Sequence, residues 1–453
     1  MRIELAIPQD FLDLLSAVGG IYYGNITTPS IKAISTNSKE CKEGDVFFAI
    51  AGRSFDGNMY IQEAIDKGAI PVGTNVRRFG IKVNSGSSAL LSFASFYKDR
   101  LPQLKHTFAI TGSVGKTSTK EMLKMLSSVR YKTHATWENF NNDIGLSYTI
   151  LSASADTEIL IAELGMNNAG EISELSKALK PDSAVITKIG SAHIGNLGSI
   201  ENIALAKLEI IHGLCGNLTI PCGEPLLQTD YPNISHFSSS GLMGNVSIIK
   251  NSFGQTELYI NGSLEYIFDF HSYADHLRHC LAAAICSSMN IGLTISDMIK
   301  GINAISESSF RHRIVQSKRG FFILDDSYNA SYESVLASIS MLLKLDEKGR
   351  KSILLGDILE LGSMSHDIHF KIGQMIGKES DIIFLFLIGN EAKYIIDGAI
   401  DAGFEKRRIF YNPDTKSPEI TASQICRNLT TDDMILAKAS HKTNVKRIID
   451  LIE

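Results

Sequence analysis

Short apolar runs alternate with stretches of helical spacing through most of the chain. In its middle part the apolar runs lie at residues 108–110, 159–162 and 184–189. Runs this short, each separated from the next by good helix formers, indicate strands that alternate with helices. The sequence therefore predicts an α/β fold with a doubly wound, mainly parallel sheet at its centre.

The same rhythm returns in the last third of the chain. Four apolar runs there, each closing on a glycine or a polar residue, are predicted strands at 321–324, 352–355, 382–388 and 434–437. They indicate a second doubly wound domain of the Rossmann-like kind.

The first hundred residues have the pattern of a small α/β domain. Strands are predicted at 46–50 and 69–72, and a helix at 88–99. A more polar stretch at 237–269 is expected to form antiparallel strands that decorate the central domain. The length of 453 residues also suggests three domains, which we place at 1–103, 104–309 and 310–453.

Composition and charge exclude several classes of protein. The chain is 44% hydrophobic and 21% charged, with a net charge of −5 and no basic block, so nucleic acid is not expected as a partner. Six cysteines without a CxxC pair favour free thiols in a reducing compartment. Neither a leader pattern nor an apolar run long enough to span a bilayer is present, so we expect a cytoplasmic location and no membrane span.

The clearest chemical signal follows the strand predicted at 108–110. The chain continues as Thr111-Gly112-Ser113-Val114-Gly115-Lys116-Thr117-Ser118 and then as helix formers. A glycine turn that opens a helix offers a phosphate chain several backbone N–H donors at once. Lys116 can reach the terminal phosphates and Thr117 can ligate Mg²⁺, which predicts a nucleoside triphosphate ligand. The first glycine is spaced wrongly for the general motif, and a turn that binds nothing is the alternative.

Two polar residues are predicted at the same edge of this sheet. Glu163 closes the strand at 159–162, and His193 follows the strand at 184–189. Because the carboxyl ends of parallel strands meet at one edge, both should face the phosphate loop. Glu163 would then ligate a nucleotide-bound Mg²⁺, and His193 a second metal ion. A solvated glutamate and a surface histidine are the alternatives.

Two further features allow more than one interpretation. An amide-rich turn formed by Asn139, Asn141 and Asn142 could grip polar substrate groups or cap the helix that follows. Lys207 lies in a helical run at 200–211, where its spacing alone favours a solvated face.

Six segments, in their order and spacing, resemble the Mur ligase family: TGSVGKTSTKEM, NFNNDIG, AELGMNNAGEI, KIGSAHIGNLGSIENIALAK, LDDSYNASYESV and LLGDILELG. ISTNSKECKEGDVFFAIAGRSFDG is similar to the uridine-nucleotide-binding start of that family, and the shortened glycine loop is the family's form. DDSYNA and the LGDILELG segment point to the member that adds D-alanyl-D-alanine. The resemblance implies an ATP-dependent ligase of peptidoglycan precursor synthesis, which joins D-alanyl-D-alanine to UDP-N-acetylmuramoyl-tripeptide through an acyl phosphate.

The resemblance also implies cofactors and the residues that hold them. ATP and two Mg²⁺ ions are expected. Metal ligands would be Thr117, Glu163, His193 and a carbamylated Lys207, and the catalytic residues would be Lys116, Glu163, His193 and Lys207. Nucleotide contacts would come from residues 112–118 and from His276, Arg311, Asp326, Tyr328 and Asn329.

Substrate contacts are implied in all three domains, at Asn37, Ser38, Asn139, Asn141, Asn142, Asp357, Lys438 and Ser440. Asp357 and Glu360 could steer the ammonium group of the dipeptide, or could be cap or surface residues. Asn37-Ser38-Lys39 stands where the family usually has Asp-Ser-Arg, and a lysine cannot reproduce a bidentate arginine contact. Residues 274–280 also depart from the family pattern and retain only His276.

Other functions remain open at this stage. The ligase that adds meso-diaminopimelate or lysine, and a ligase like folylpolyglutamate synthase, share the phosphate loop. A nucleotide-binding protein that has lost catalysis is the alternative from another class, prompted by the departures at Asn37, Lys39 and Cys280. Family members of this type mostly act as monomers, so a monomer is expected.

Overall fold

The computed structural model describes residues 1–24, 30–52, 55–270, 275–307, 313–327, 329–345 and 349–453. Strands of the described residues form three sheets, of six, nine and six strands, with helices packed against them. The predicted α/β class is confirmed, whereas the domain boundaries stay a prediction. Within the same residues, no helix combines the length and the apolar character needed to cross a bilayer.

The first sheet has the strand order β1-β3-β4-β5-β6-β2, with parallel pairing from β3 to β6 and antiparallel pairing at both edges. Its elements are β1 (Arg2–Asp10), α1 (Phe11–Val18), β2 (Ile21–Tyr23), β3 (Ser30–Ser35), β4 (Val46–Phe48), α2 (Ile61–Asp66), β5 (Ile70–Gly73), β6 (Gly80–Lys82) and α3 (Gly86–Lys98). The two predicted strands correspond to β4 and β5, and the predicted helix to α3. Ser85 begins α3, because its hydroxyl accepts the N–H of Ser88.

Helix α3 also joins this first sheet to the central part of the molecule. Lys98, at its C-terminal end, is buried and donates from Nζ to the carbonyl oxygen of Leu179 at 2.6 Å. Leu179 ends a helix of the central region, where the last carbonyls carry partial negative charge. This buried hydrogen bond therefore connects the first domain to the central one.

The central sheet has nine strands in the order β15-β14-β13-β12-β11-β10-β7-β9-β8. Its elements are β7 (His106–Thr111), α4 (Lys116–Ser128), β8 (Thr133–Ala135), α5 (Asp143–Leu151), β9 (Ile159–Glu163), α6 (Glu171–Leu179), β10 (Ser183–Ile186), α7 (Ile194–Leu197), α8 (Ile200–Leu208), β11 (Asn217–Pro221), β12 (Ile234–Ser238), β13 (Val246–Lys250), β14 (Thr256–Ile260), β15 (Ser263–Phe268), α9 (Asp275–Ser288) and α10 (Ile295–Glu307). Strands β7, β9 and β10 are the three predicted ones, and they lie side by side and parallel.

The polar stretch at 237–269 extends the central sheet instead of decorating it. β12 and β13 continue the parallel pairing, and only β14 and β15 turn antiparallel. Asn261 and Gly262 both have positive φ, as a tight two-residue hairpin turn requires. The prediction of antiparallel strands is therefore correct for the pairs β13–β14 and β14–β15, whereas the β12–β13 pair is parallel.

The third sheet has the order β16-β17-β21-β18-β19-β20 and is parallel except at its β16 edge. Its elements are β16 (Arg313–Gln316), β17 (Phe322–Asp325), α11 (Tyr332–Lys344), β18 (Lys351–Gly356), α12 (Ser365–Gly377), β19 (Ile382–Ile388), α13 (Lys393–Asp401), β20 (Ile409–Asn412), α14 (Pro418–Asn428), β21 (Met434–Lys438) and α15 (Val445–Ile452). The four predicted strands are present. The sequence did not predict β16 and β20. Both are short strands at the edges of this sheet, where fewer side chains are buried and the sequence pattern is weaker.

Candidate active site

The glycine loop connects the end of β7 to the start of α4 at the carboxyl edge of the central sheet. Gly112 has a φ of 143°, and a Cβ atom there would lie 2.0 Å from the Thr187 hydroxyl oxygen, so only glycine fits. Gly115 precedes α4 in a left-handed conformation, and no side chain caps the helix. The first backbone N–H groups of α4 are thus available to an anion.

Neighbouring segments hold this loop in place. The Ser113 N–H donates to the carbonyl oxygen of Lys188 at 2.7 Å, and the Thr187 hydroxyl donates to that of Val114 at 2.7 Å. Lys116 Nζ donates back to the carbonyl oxygen of Gly112 at 2.7 Å, and burial lowers the pKa of this lysine. These hydrogen bonds fix the backbone of the loop in a shape suited to phosphate, and the Lys116 side chain lies across the loop from its helix end to Gly112.

Glu163 ends β9 beside this loop and is only 2% exposed. Its Oε2 accepts the Thr117 hydroxyl at 2.9 Å, and its Oε1 accepts the Asn141 amide at 2.9 Å. The alternative of a solvated glutamate is therefore excluded. Carboxylate, hydroxyl and amide oxygens are hard ligands of the kind that Mg²⁺ prefers, so this donor set fits that ion.

His193 lies in the loop after β10, in a left-handed conformation with a φ of 68°. Its Nδ1 lies 2.7 Å from Oε2 of Glu360, which belongs to the third sheet's region. This contact keeps the pKa of Glu360 below its usual value, although burial opposes the shift. A histidine held in this way by a carboxylate is common among metal ligands, and its other ring nitrogen suits a divalent ion.

Lys207 lies on α8 and is fully buried, so the solvated face suggested by its spacing is wrong. Among the residues that the structure describes, its Nζ has no hydrogen-bond partner. Burial, with the nearby charge of Lys116, lowers the pKa of Lys207 well below its usual value. Burial of this kind favours the neutral form of the amine, and a neutral amine is a nucleophile.

The chain is similar to known ligases over most of its length. The Mur ligase middle domain matches residues 110–233. The UDP-N-acetylmuramoyl-tripeptide--D-alanyl-D-alanine ligase of Bacillus subtilis is 33% identical over 435 residues, which cover 93% of both chains. The chain belongs to the Mur ligase family. The ligase of the same name from Rickettsia prowazekii is 32% identical over 96% of this chain and 98% of its own.

Solved structures of Mur ligases have the same architecture. A crystal structure of MurF from Acinetobacter baumannii superposes with a TM-score of 0.84 at 25% identity, over 99% of both chains. MurF ligase from Thermotoga maritima, solved in complex with ADP, gives a TM-score of 0.77 at 28% identity, over 92% of this chain and 96% of that one.

The amide-rich turn of this Mur ligase divides its three asparagines between different tasks. Asn141 holds Glu163, whereas Asn142 caps α5 by accepting the Gly145 N–H at 2.9 Å. Asn139 is exposed. Helix capping, one of the two alternatives that the sequence left open, therefore falls on Asn142, whereas substrate contact by this turn stays a prediction.

Most of the predicted residues of the C-terminal region are engaged with one another. Lys438 is buried, and its Nζ lies 2.7 Å from a carboxylate oxygen of Asp326 and 3.0 Å from the carbonyl oxygen of Asn329. The Ser440 hydroxyl accepts the Leu359 N–H at 3.0 Å. Lys438, Asp326 and Asn329 therefore form one network at the carboxyl ends of β17 and β21, whereas Ser440 is bound to the segment that follows β18.

Asp357 is occupied by its own domain. Its carboxylate oxygens accept the N–H groups of Asn390, Glu391 and Ala392 at 2.9–3.0 Å, just before α13. The cap that the sequence offered as an alternative is what the structure contains. Contact of Asp357 with a dipeptide has no support from this geometry.

The remaining predicted residues lie further from the loop or outside the described residues. Asn37 caps a short helical turn by accepting the Lys39 N–H at 3.1 Å, and the Ser38 hydroxyl donates to Glu63 at 2.8 Å. His276 is half-buried at the start of α9. Arg311 and Tyr328 are outside the described residues.

Sequence reasoning missed two residues that connect the site. Lys120 is buried on α4 and donates to the carbonyl oxygen of Thr136 at 2.6 Å. Glu333, at the start of α11, accepts the N–H and the hydroxyl of Ser191 at 2.8 and 3.1 Å. Glu333 lies in the quoted LDDSYNASYESV segment, but nothing in its spacing indicates a partner in another domain.

Proposed function

We propose that this chain is an ATP-dependent ligase that joins D-alanyl-D-alanine to UDP-N-acetylmuramoyl-tripeptide, in the cytoplasm and as a step of peptidoglycan precursor synthesis. The observation that carries the chemistry is the buried Glu163 carboxylate, bound to Thr117 beside the glycine loop. The proposed substrates are those in the names of its Mur ligase relatives. The ADP bound by the Thermotoga maritima enzyme supports ATP as the nucleotide.

In the first step, a carboxylate oxygen of the tripeptide attacks the γ-phosphorus of ATP. The bond to the bridging oxygen of ADP breaks, and an acyl phosphate and ADP result. The dipeptide amine then attacks the acyl carbon, and the tetrahedral adduct releases phosphate and a proton to leave the amide. Both steps bring anionic groups together, so catalysis depends on cations fixed in advance.

The chain's residues meet this need at three points. Lys116 and the first N–H groups of α4 would bind the phosphates, and Thr117 with Glu163 would hold a Mg²⁺ ion. Bound Mg²⁺ neutralises the charge that develops on the transferred phosphoryl group. His193 would ligate the second ion. Asp326, Asn329 and Tyr328 would reach the nucleotide from the C-terminal domain.

We also propose that Lys207 is carbamylated. Its neutral, buried Nζ would form a bond to the carbon of CO₂ and release one proton, which converts the amine into an anionic oxygen ligand. Two observations support this: Nζ has no hydrogen-bond partner among the described residues, and burial lowers the pKa of Lys207, which favours the neutral amine that reacts with CO₂.

Phosphate release from the purified protein tests the function. With ATP and Mg²⁺, release is expected only when both the UDP-muramoyl-tripeptide and D-alanyl-D-alanine are present. Replacing D-alanyl-D-alanine by meso-diaminopimelate or lysine, with the UDP-muramoyl-dipeptide as acceptor, tests the related ligases. Phosphate release without the dipeptide, or no release under any condition, would contradict the proposal.

A further inference from the structure

The loop at 190–195 of the central domain is contacted at three points by the C-terminal domain. Glu333 accepts both the N–H and the hydroxyl of Ser191. Glu360 reaches His193 Nδ1 at 2.7 Å through its side chain and accepts the Gly195 N–H at 2.9 Å through its carbonyl oxygen. Two carboxylates from one domain therefore hold a single loop of another.

The backbones at this contact approach too closely for side chains. A Cβ atom on Gly195 would lie 2.5 Å from the nitrogen of Gly362, and one on Gly362 would lie 2.8 Å from the Cα of Gly195. Gly362 has a φ of 55° and Glu360 one of 66°, so both residues adopt the left-handed conformation that aims Glu360 at His193. This close glycine contact is specific to one arrangement of the two domains.

Glu360 is carried by a segment that its own domain fixes from behind. The Ile358 N–H donates to Nε2 of buried His369 at 3.1 Å, and the Leu359 N–H donates to the Ser440 hydroxyl at 3.0 Å. The segment is therefore fixed to its own domain, and Glu360 meets His193 through the arrangement of the two domains that the structure has, which we call closed.

From these contacts we infer that Glu360 is a positioning residue, which makes metal binding at His193 depend on closure of the C-terminal domain. Oε2 of Glu360 lies 2.7 Å from Nδ1, and a carboxylate this close favours a proton on Nδ1 and a lone pair on Nε2, the form in which imidazole binds a metal ion. The inference rests on the proposed function, because it takes His193 as a ligand of the second ion. What the inference adds is the role of Glu360: its contact with His193 would make binding of the second ion depend on the closed arrangement of the two domains.

The test is a titration with Mn²⁺, followed by electron paramagnetic resonance, in the presence of a non-hydrolysable ATP analogue. Wild-type protein is expected to bind two ions. In E360A the second ion is expected to bind 10- to 100-fold more weakly, the usual effect of removing a carboxylate behind a metal-binding histidine. E360Q, which keeps an acceptor oxygen without the charge, should lie between the two. Unchanged nucleotide affinity shows that each variant is folded.

A double variant shows whether Glu360 acts through His193. H193A alone should lose the second ion, and H193A/E360A should bind metal no more weakly than H193A. Two ions of wild-type affinity in E360A, a further loss in the double variant, or a single ion in wild-type protein would each overturn the inference.

E333A is the matched control. It removes the other carboxylate that contacts the 190–195 loop, and that carboxylate binds Ser191 and not His193. It should loosen closure, measured as a larger radius of gyration with nucleotide bound, but weaken the second ion less than E360A does. Equal weakening would mean that closure alone matters and would overturn a positioning role. The titration contains neither amino-acid substrate, so its failure is separate from failure of the ligase assay.

Discussion

Lys120 Nζ donates to the carbonyl oxygen of Thr136 at 2.6 Å and so joins the phosphate-loop helix to the segment that carries the asparagine turn. The Thr136 hydroxyl in turn accepts the N–H of Glu163 at 3.0 Å. One buried lysine therefore connects α4, the proposed metal-binding carboxylate Glu163 and the predicted substrate turn. This arrangement would couple the proposed nucleotide site to the proposed site of the peptide substrate.

Replacing Lys120 by methionine is expected to weaken that coupling. The carbonyl of Thr136 loses its charged donor, which costs about 1–3 kcal/mol in the free energy of unfolding. Because the released segment carries Asn139 and Asn141, the KM for the muramoyl-tripeptide should rise more than the KM for ATP. Urea unfolding and steady-state kinetics measure both. K124M, one turn along the same helix, is the control, and equal KM changes in the two variants would contradict the coupling.

Glu163→Gln tests the proposed metal ligand with little change of shape. The amide can still contact Thr117 and Asn141, but it lacks the charge that Mg²⁺ requires. We expect phosphate release to fall by about 100-fold or more while the melting temperature stays near that of wild type. E174Q, at an exposed position of α6, should keep full activity. An E163Q enzyme of near wild-type rate would remove Glu163 from the metal site.

The sequence predicted the site only as far as local pattern reaches. Glu163 and the glycine loop follow from strand ends in a parallel sheet, where position along the chain fixes position at the edge. The burial of Lys207 does not follow, because its helical spacing resembles that of an exposed lysine. The contacts of Glu333 and Glu360 with the 190–195 loop depend on how two domains meet, and no local pattern records that. Several strands were also not predicted, among them the short edge strands β16 and β20, because two or three apolar residues in a row are too few to indicate a strand.

Lys207→Ala is expected to abolish activity, and added bicarbonate should not restore it, because the alanine has no amine to carboxylate. A direct measurement is the ¹³C spectrum of protein equilibrated with ¹³C-bicarbonate. Wild-type protein should have a carbamate resonance that K207A lacks. A fully active K207A, or the same resonance in both proteins, would remove the carbamate.

His369 makes the stability of the C-terminal domain depend on pH. It is fully buried, and burial lowers its pKa against the opposing charges of Asp357 and Glu391. Its Nε2 accepts the Ile358 N–H, so the folded form needs neutral imidazole. The unfolded histidine binds the proton more readily, so this stabilisation is present above the ordinary pKa of about 6.5 and is lost as pH falls below it.

Urea unfolding of wild type and H369N between pH 5 and pH 8 measures this contribution. The wild-type curve should be steeper below about pH 6.5, by at most about 1.4 kcal/mol per pH unit for one proton. H366N, at an exposed position of the same helix, should follow the wild-type curve. Parallel curves for H369N and wild type would contradict a neutral His369.

Mass spectrometry of the complete reaction tests the central claim most directly. With ATP, Mg²⁺, UDP-N-acetylmuramoyl-tripeptide and D-alanyl-D-alanine, we predict one product whose mass is the sum of the two substrates less one water, formed in equal amounts with ADP and phosphate. ATP hydrolysis without any joined product would contradict the account, and so would a joined product that forms only in parallel reactions in which diaminopimelate, lysine or glutamate replaces the dipeptide.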